Sequence, residues 1–256
     1  MEFIGRIAAL QQRLAQSGAL AARRQAVLSA LEPHRGERVL DVGCGAGLLL
    51  REIALATGAH GLAAGVDVSL DQILAAREAC RGVPGALPHV GDVCALDWDD
   101  AVFDAAVAVQ TLEYVGDAPA ALAEIRRVLK PGGRLLCLAV NWTSAFWHGP
   151  DPALTAEIAH AWSTHAAHAD LPARLPPMLV RAGFAEVRHY PVPVVDPDLH
   201  PDAFAWGIAR LMAVHAEHQG VPRARTDLWL GELDKAQAEG EFFFSLVPIL
   251  TRARAA

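Results

Sequence analysis

Apolar residues along the middle of the chain recur in two alternating patterns. Short runs that are apolar on both faces alternate with longer stretches whose apolar positions fall at helical spacing. The short runs predict strands over 38–43, 61–68, 86–93, 103–110 and 133–140. Strands that are buried on both faces and separated by helices are typical of a parallel sheet covered on both sides. The pattern therefore predicts a doubly wound α/β fold.

Local signals predict where several of these helices begin and end. Gly58 can end the helix after the first strand, and Pro131 with two following glycines can end the helix before the fifth strand. Ser69 precedes Gln72 by three residues, which is the spacing of a capping box, so a helix is expected to begin there.

Segments outside this alternation predict further helices. Before the first strand, apolar residues at helical spacing predict helices over 3–16 and 19–32. After residue 140 the chain becomes aromatic and rich in turn residues. Helices are expected there over 152–169, over 171–184 with Gly183 at its end, and in two pieces within 202–239.

Two late segments predict the remaining strands. Residues 186–195 could form a sixth strand, and their prolines would confine it to an irregular or edge position. Residues 241–253 predict a closing strand. With both, the sheet would have seven mostly parallel strands, with N-terminal helices and a helical cap inserted before the last strand.

Composition limits the partners that the protein can have. Hydrophobic residues make up 53% of the chain and charged residues 20%, which suits a folded globule. The formal net charge of -7, without any basic run, argues against nucleic-acid binding and favours a small partner. No stretch reaches the roughly 20 apolar residues that span a bilayer. The N-terminal residues lack the unbroken apolar run of a signal peptide, so we expect a cytoplasmic protein.

Cysteine and histidine spacing favours no metal site. The four cysteines are widely scattered without a CxxC pair, and we expect reduced, mostly buried thiols. On a helix His165 and His168 would share a face, but His160 would lie roughly 140° away from His165. Because no carboxylate pair is near, solvated histidines are the expectation.

Three glycines lie where the first strand turns into a helix, in VLDVGCGAGLLL (39–50). Ligands of parallel sheets bind at the carboxyl ends of strands, and glycine permits a positive φ and a close approach to the backbone. No Lys-Ser or Lys-Thr follows, which excludes a phosphate-binding P-loop. The GxGxxG spacing of a dinucleotide site fits poorly, because its third glycine would fall on Leu48 or Leu50. A nicotinamide-dependent oxidoreductase is therefore the weaker alternative.

The stretch from Asp41 to Gly47, an acidic residue followed by glycines at alternate positions, resembles the first motif of class I S-adenosylmethionine-dependent methyltransferases. Asp67 in GVDVS matches the family's acidic residue that accepts hydrogen bonds from both ribose hydroxyls. Asp92 in GDV matches the residue that takes the adenine amino group. The segments FDAAVAVQTLEYV and EIRRVLKPGGRLL are similar to the subfamily of ubiquinone and menaquinone biosynthesis methyltransferases. The match covers residues 38 to about 140.

The resemblance implies S-adenosylmethionine as cofactor and S-adenosylhomocysteine as product, with methyl transfer by in-line displacement to a small aromatic or apolar acceptor. Such an enzyme mainly aligns the reactants and excludes water, so a dedicated base is optional. Gln110 would line the methionine end, although a strand-end amide bonded to the backbone is an equal alternative. The implied cofactor-binding residues are Asp41, Gly43, Cys44, Gly45, Gly47, Asp67, Val68, Gln72, Asp92, Val93 and Gln110.

Residues that could hold or activate the acceptor follow the fourth and fifth strands. Tyr114 stands where the subfamily often has a histidine, so an aromatic face is kept while an essential base at this position is doubtful. Trp142 and Trp147 could hold a flat acceptor or could simply pack in the core. His148 could take a proton from a hydroxyl acceptor or could be a surface histidine. Tyr114 and His148 are thus the catalytic candidates, and Tyr114, Trp142 and Trp147 the acceptor-binding ones.

The resulting architecture is a single methyltransferase domain over 1–256. In it, residues 1–36 form a helical lid, 37–140 the cofactor-binding core, and 141–256 an acceptor-binding elaboration with the closing strands. Exposed aromatic residues in the elaboration could belong to a pocket or to a homodimer interface. A protein that binds S-adenosylmethionine without transferring methyl, as a sensor, partner subunit or other catalyst, is an alternative with the same cofactor motifs.

Overall fold

The computed structural model describes residues 10, 14–15 and 17–256, which form two compact units. The sheet unit contains residues 25–140, 170–191 and 249–256. The insertion unit contains residues 141–169, 192–248 and the described residues up to 24. The single domain, with residues 1–36 as its lid, stays a prediction.

The helices and strands alternate along most of the chain. In chain order they are α1 (Gly18–Leu31), β1 (Arg38–Val42), α2 (Leu48–Thr57), β2 (Leu62–Asp67), α3 (Leu70–Ala79), β3 (Ala86–Val90), β4 (Phe103–Val109), α4 (Ala118–Val128), β5 (Leu129–Ala139), β6 (Phe146–His148), α5 (Pro152–Trp162), α6 (Leu171–Arg181), β7 (Phe184–Pro191), β8 (Val194–Asp196), α7 (Phe204–His218), α8 (Arg223–Glu239), β9 (Phe243–Leu246) and β10 (Ile249–Ala255). Helix α1 confirms the helix predicted over 19–32, whereas the helix predicted over 3–16 lies largely outside the described residues.

The sheet unit is built on seven strands in the order β3-β2-β1-β4-β5-β10-β7. Neighbouring strands among the first five are parallel, and β10 is antiparallel to both β5 and β7. This arrangement confirms the mostly parallel seven-stranded sheet. Strand β7 lies at an edge, as its prolines predict.

The core of the sheet unit lies between the strands and the helices that cover them. Leu40 and Ala106 on the strands are buried in one cluster with Leu122 and Ile125 of α4. The small side chains of β2 and β4 (LAAGVD and FDAAVAV) leave room for the helices to pack close to the sheet. The carboxyl ends of these strands are thereby held in fixed positions.

Helix ends in the sheet unit follow the local signals closely. The Ser69 hydroxyl accepts a hydrogen bond from the Gln72 N–H at 3.4 Å, and Gly58 ends α2 with a φ of 74°. Helix α4 begins after Asp117, whose carboxylate accepts from the Ala120 N–H at 3.0 Å. It ends at Val128, before the predicted stop at Pro131, because the chain joins β5 directly at Leu129.

The insertion unit combines helices with a second sheet that the sequence pattern does not predict. Helices α7 and α8 confirm the two helices expected within 202–239, and α5 ends at Trp162, earlier than expected. Strands β6, β9 and β8 form an antiparallel sheet in that order. The insertion therefore contains the expected helices together with a small sheet.

The closing strand predicted over 241–253 is two strands that belong to different sheets. Strand β9 pairs with β6 and β8, while β10 pairs with β5 and β7. Pro248 lies between them and lacks an N–H for continuous pairing. In the same way, the predicted strand over 186–195 divides into β7 and β8 around Pro193. Prolines thus mark where the chain passes between the units.

Candidate functional site

A cavity of about 510 Å³ opens at the carboxyl ends of β1, β2 and β4 in the sheet unit, within the size range of small-molecule sites. We call it the strand-end cavity. Seven of the residues predicted for the site line it: Gly43, Asp67, Val68, Asp92, Val93, Gln110 and Tyr114. The lining also includes Val66, Gly91, Cys94, Thr111, Val115, Gly116 and Asp117, which the sequence motifs did not single out for binding.

Two of the three glycines in the loop after β1 are required by packing. All three have a positive φ, which side chains rarely adopt. A Cβ on Gly43 would lie 2.3 Å from Thr111, and a Cβ on Gly47 would lie 2.8 Å from the Ala76 backbone on α3. A Cβ on Gly45 would meet only the Gln72 side chain, at 3.7 Å. Gly45 is therefore the loop glycine with an open side.

Asp67 fixes the glycine loop as well as lining the cavity. One carboxylate oxygen accepts from the Gly45 N–H at 3.0 Å, and the other accepts from the Ser69 N–H at 2.9 Å. Two carboxylate oxygens offer about four acceptor positions, so about two remain for a ligand. The neighbouring Val68 is 73% exposed, which is unusual for a valine at the end of a buried strand. Together they present an acidic and an apolar surface to the cavity.

Asp92 is arranged in a similar way on the next loop. One of its carboxylate oxygens accepts from the Cys94 N–H at 2.9 Å, and Val93 between them is buried. The Cys94 thiol donates to the carbonyl of Asp117 at 3.6 Å, which joins this loop to the start of α4. Asp92 is exposed, so its second oxygen is accessible to a ligand.

Asp41 lies beneath the loop rather than in the lining. It is 2% exposed, and its Oδ2 atom has no hydrogen-bond partner among the described residues. Burial, together with repulsion from Asp67, raises the pKa of Asp41 to about 7. A buried carboxyl with an unpaired oxygen and a raised pKa is suited to a nearby cationic group, whose charge would favour ionisation.

Thr111 connects the glycine loop to the end of β4. Its hydroxyl lies 2.9 Å from the Val42 carbonyl and 3.3 Å from that of Val109, and its side chain covers Gly43. The preceding Gln110 has a φ of 50°, a strained conformation for a residue with a side chain. Its N–H donates to the Leu138 carbonyl at 2.8 Å. Tyr114, 48% exposed, follows on the same loop.

Five predicted cofactor residues do not line the strand-end cavity: Asp41, Cys44, Gly45, Gly47 and Gln72. Burial raises the pKa of the Cys44 thiol, which makes it a poor nucleophile. The expectation of free, mostly buried thiols is confirmed, since all four cysteines are unpaired and three are buried. Strand order alone signals that residues 111 and 94 approach the site, because their loops follow strands that end beside it.

The predicted acceptor residues of the insertion unit share a second cavity, of about 580 Å³. We call it the tryptophan cavity, since Trp142, Trp147 and Trp162 line it. Trp147 packs on Phe244 with ring centroids 4.4 Å apart, which supports the core-packing alternative for this residue. His148 also lines the cavity and is exposed. The structure thus brings Trp142, Trp147 and His148 together.

The histidines of the insertion unit differ from the expectation of solvated side chains. His165 is stacked on Trp162 with ring centroids 3.9 Å apart, and its Nδ1 lies 2.5 Å from the Trp162 carbonyl. Burial lowers the pKa of His165 to about 4, and nearby His215 lowers it further. His160 is exposed as expected. Across residues 10, 14–15 and 17–256, no three histidine, cysteine or acidic residues are grouped as metal ligands would be.

Comparisons with known proteins agree with this site. Residues 40–137 match the family model described as a methyltransferase domain. An uncharacterised 37.1 kDa protein in transposon Tn4556 of Streptomyces fradiae is 29% identical over 95% of this chain and 70% of its own length. The 2-phytyl-1,4-naphtoquinone methyltransferase of Thermosynechococcus vestitus is 30% identical over 66% of this chain and 81% of its own. The demethylmenaquinone methyltransferase of Corynebacterium kroppenstedtii is 41% identical over 44% of this chain, but this match covers only 45% of that protein.

Solved structures show the same fold. The YcgJ protein of Bacillus subtilis superimposes with a TM-score of 0.59 and 20% identity, over 90% of this chain and 97% of its own. The [4+2]-cyclase SpnF superimposes with a TM-score of 0.57 and 22% identity, over 91% of this chain and 81% of its own. Taken with the sequence matches, the chain belongs to the class I S-adenosylmethionine-dependent methyltransferases. Among the described residues, no helix has the length and apolar character needed to cross a membrane.

The residues of the sheet unit fit S-adenosylmethionine, the cofactor of this family. The molecule has ribose hydroxyls that need acceptors, and Asp67 and Asp92 keep accessible carboxylate oxygens beside the cavity. It also carries an ammonium and a sulfonium, and the unpaired oxygen of Asp41 is a suitable buried counter-charge. The open side of Gly45 permits close approach to the backbone. This fit does not extend to a dinucleotide, whose pyrophosphate the acidic residues would repel.

Proposed function

We propose that this methyltransferase transfers the methyl group of S-adenosylmethionine to a small aromatic or apolar acceptor by in-line displacement. The strand-end cavity carries the proposal, because it joins Asp67, Asp92 and Gln110 around one space of cofactor size. S-adenosylhomocysteine would be the product. When bound, the cofactor supplies a methyl group that is already activated by a positively charged sulfur.

In this proposal each acidic residue holds one part of the cofactor. Asp67 accepts hydrogen bonds from the ribose hydroxyls, since its two oxygens are fixed by the Gly45 and Ser69 N–H groups and keep further acceptor positions. Asp92 accepts from the adenine amino group, with Val68 and Val93 as apolar contacts. Gln110 lines the methionine end. Asp41, Cys44, Gly45, Gly47 and Gln72, in and around the glycine loop, complete the proposed set of cofactor-binding residues.

We propose that aromatic residues bind the acceptor. Trp142 and Trp147 line the tryptophan cavity, whose walls suit a flat apolar molecule. Tyr114 presents a half-exposed ring at the strand-end cavity. Relatives named for naphthoquinone and demethylmenaquinone methylation have flat ring acceptors, which supports an aromatic substrate. His148 is the proposed base for a hydroxyl acceptor, and Tyr114 the alternative.

Calorimetric titration with S-adenosylmethionine and S-adenosylhomocysteine tests the cofactor part. We expect micromolar binding by the wild type and a loss of at least about tenfold in Asp67→Asn, since hydrogen bonds to a charged acceptor contribute roughly 1.5 to 3 kcal/mol. Asp99→Asn is the control, because Asp99 is exposed and lies outside the cavity lining. Equal affinity in both variants, or binding of NAD in place of these ligands, would contradict the proposal.

The same fold in a cyclase, SpnF, makes binding without methyl transfer the alternative to exclude. Incubation with S-adenosylmethionine and a panel of hydroxylated bicyclic arenes, followed by measurement of S-adenosylhomocysteine, separates the two. Product that forms only when both ligands are present supports transfer. Tight cofactor binding without product across the panel would favour a sensor, a partner subunit or another catalyst.

Location and assembly complete the proposal. The four free thiols are consistent with a cytoplasmic protein. The net charge of -7 is consistent with a partner other than nucleic acid. A homodimer is supported by the exposed side chains of Phe146, Phe243 and Val195 on the small sheet. Sedimentation of the wild type and of Phe146→Ser would reveal a dimer that depends on this face.

A further inference from the structure

The small sheet of the insertion unit turns one face to the core and the other to solvent. Pairing across the strands places Phe146 opposite Ser245 and Ser245 opposite Val195, so these three side chains share a face. Phe243 points the same way, because side chains alternate along β9. Phe146 and Val195 are each 53% exposed and Phe243 is 36% exposed, whereas the intervening Phe244 is fully buried. Three large apolar side chains are thus exposed together on one small surface.

A small residue lies at the centre of this surface. Ser245 belongs to the middle strand β9, with Phe146 on one neighbouring strand and Val195 on the other. Phe243 lies beside it, with its ring centroid 6.3 Å from that of Phe146. Because serine is much smaller than the phenylalanine and valine side chains around it, the surface is lowest there. We call Ser245 with Phe146, Phe243 and Val195 the outer depression.

The outer depression is continuous with the tryptophan cavity. Strand β6 is at the edge of the small sheet, and all of its residues line the cavity. Phe146 and His148 point outward, and Trp147 points inward toward the buried Phe244. The cavity therefore lies along the free edge of β6, and Phe146 is shared between the cavity and the depression. One apolar surface extends from the tryptophans to Val195.

The size and charge of the outward face favour a narrow apolar occupant. Its strands of three or four residues cover roughly 10 Å by 13 Å, a small part of the roughly 800 Å² per partner that a stable protein interface needs. The proposed homodimer would need contacts beyond it. Surfaces that lie on a bilayer usually combine apolar residues with Lys and Arg, but the outward residues of these strands are Phe146, His148, Phe243, Ser245 and Val195. A hydrocarbon chain needs neither a large area nor a charge.

We propose that the outer depression binds a hydrocarbon chain, and that the ligand of the insertion unit is an aromatic ring that carries such a chain. The ring occupies the tryptophan cavity, and the chain crosses Phe146 and Ser245 toward Val195. A chain of about eight carbons would span the strands, which cover roughly 10 Å. Removal of the exposed apolar side chains from water provides the driving force. That this ligand is the methyl acceptor rests on the proposed function.

A series of phenols with chains of different length tests the proposal by calorimetry on the full chain: para-cresol, para-butylphenol and para-octylphenol. Their rings are alike, so differences in affinity report the contribution of the hydrocarbon chain. A methylene that is half removed from water should increase the affinity about twofold, so we expect para-octylphenol to bind roughly fifteenfold more tightly than para-butylphenol. Equal affinities of the butyl and octyl compounds, or no binding of any of the phenols, would overturn the proposal.

Substitution of Ser245 separates the outer depression from general apolar attraction. Ser245→Phe fills the depression while it adds apolar surface, so the ratio of octyl to butyl affinity should fall at least about fivefold. Ser245→Ala keeps the depression open and should keep the ratio of the wild type. Near-ultraviolet circular dichroism confirms that both variants fold. A ratio that is unchanged or higher in Ser245→Phe would refute the depression as the binding site of the chain.

Substitution of Val195 tests how far the hydrocarbon chain reaches. Val195→Ser removes apolar surface on the far side of Ser245 and should lower the ratio of octyl to butyl affinity about threefold. Val180→Ser is the matched control, since Val180 is 62% exposed but belongs to the sheet unit. An equal effect of both substitutions would show that the chain has no preference for the small sheet, which contradicts the proposal.

Sedimentation distinguishes other occupants of the outward face. If a dimer is found that is lost in Phe146→Ser, saturating para-octylphenol should dissociate it, because the hydrocarbon chain and a second copy would compete. A dimer of this kind that persists with the compound bound would overturn the proposal in favour of a second copy. Cosedimentation of the wild type, but not of Val195→Ser, with phosphatidylcholine vesicles would overturn it in favour of a lipid surface.

These outcomes are separable from those for the proposed function. The ratio of octyl to butyl affinity is measured without S-adenosylmethionine, so it depends neither on the strand-end cavity nor on methyl transfer. If the ratio behaves as expected and no methyl transfer is found, the outer depression keeps its ligand class and only the assignment to a methyl acceptor fails. Methyl transfer to all of the phenols with the same KM would instead contradict the chain site and leave the proposed function intact.

Discussion

The two cavities differ in the groups that they offer a ligand. The strand-end cavity presents carboxylates, of which Asp67 and Asp92 are anchored by backbone N–H groups. The tryptophan cavity presents indole rings. The first suits a cationic ligand with hydroxyl donors, and the second suits a flat apolar ligand.

In each unit, burial shifts the pKa of one titratable group so that its neutral form is favoured, upward for Asp41 and downward for His165. Asp41 in the sheet unit has a raised pKa and stays protonated in a range where an exposed carboxyl is ionised. His165 in the insertion unit has a lowered pKa and stays neutral where an exposed histidine is charged. The sheet unit should therefore lose stability as the pH rises, and the insertion unit as it falls.

The largest effect is expected when a side chain is added to a glycine of the loop after β1, beside the strand-end cavity. Gly43→Ala would place a methyl 2.3 Å from Thr111 at a φ of 68°, so we expect a loss of more than about 3 kcal/mol in the free energy of unfolding, with loss of cofactor binding. Urea denaturation measures it. Gly45→Ala, with its open side, should lose only about 1 to 2 kcal/mol. Equal losses would mean that the contact with Thr111 is unimportant.

The next effect concerns the sign of the pH dependence in the sheet unit. The folded protein holds the Asp41 proton up to about pH 7, while the unfolded chain releases it near the ordinary aspartate pKa of 3.8. Stability from this group is full below about pH 4 and is lost as the pH rises through 7. The wild type should lose roughly 2 to 3 kcal/mol more than Asp41→Asn between pH 5 and pH 8. Urea denaturation of the cofactor-free proteins tests this, and parallel pH profiles would contradict it.

A smaller effect of opposite sign is expected in the insertion unit. The pKa of His165 is about 4 in the folded protein against an ordinary histidine value of 6.5, so the unfolded chain binds more protons between these values. Stability should fall by about 1 to 2 kcal/mol as the pH drops through this range, after allowance for partial exposure. His165→Phe keeps the stacking on Trp162 and should flatten the profile between pH 7 and pH 4. A profile as steep as that of the wild type would exclude His165 as its source.

The smallest effect concerns the helix that begins beside Asp67. Ser69→Ala removes the hydroxyl that accepts from Gln72 N–H and should cost about 1 kcal/mol, while the Ser69 N–H still donates to Asp67. Cofactor affinity should change little. Ser69→Asp, which can also cap, should restore the free energy of unfolding measured in urea. Failure of aspartate to restore it would show that capping is not the cause.

The sheet unit was predictable because its signals are local and periodic. Strands β1, β2 and β4 are buried on both faces, and the strand ends and the loop after β3 carry Asp41, Asp67 and Asp92 in family motifs. Loop contacts were harder to predict, because Thr111 lies against Gly43 only when β4 is placed beside β1 in the sheet. The sequence indicated that the glycines permit a positive φ, but not that Gly43 and Gly47 serve packing while Gly45 has an open side.

The insertion unit was only partly predictable. Helices α7 and α8 are long and were found from apolar spacing, whereas β6 and β8 have three residues each, too few to show a period. Strands β9 and β10 formed one apolar run, and pairing partners distant in the chain decide where it divides. The stacking of Trp162 on His165 depends on a tight turn after α5 that the spacing of the histidines did not indicate.

The chain enters and leaves the insertion unit more than once, because residues 141–169 and 192–248 are separated by a helix and a strand of the sheet unit. Recombination at one pair of breakpoints would therefore carry only part of this unit into a related enzyme. If the insertion unit selects the acceptor, as we propose, a new acceptor preference would have to arise by exchange of both segments together or by successive point substitutions within them. The interleaved connectivity predicts that substrate range in such chains diverges gradually, and that chimaeras made with a single crossover fail to fold.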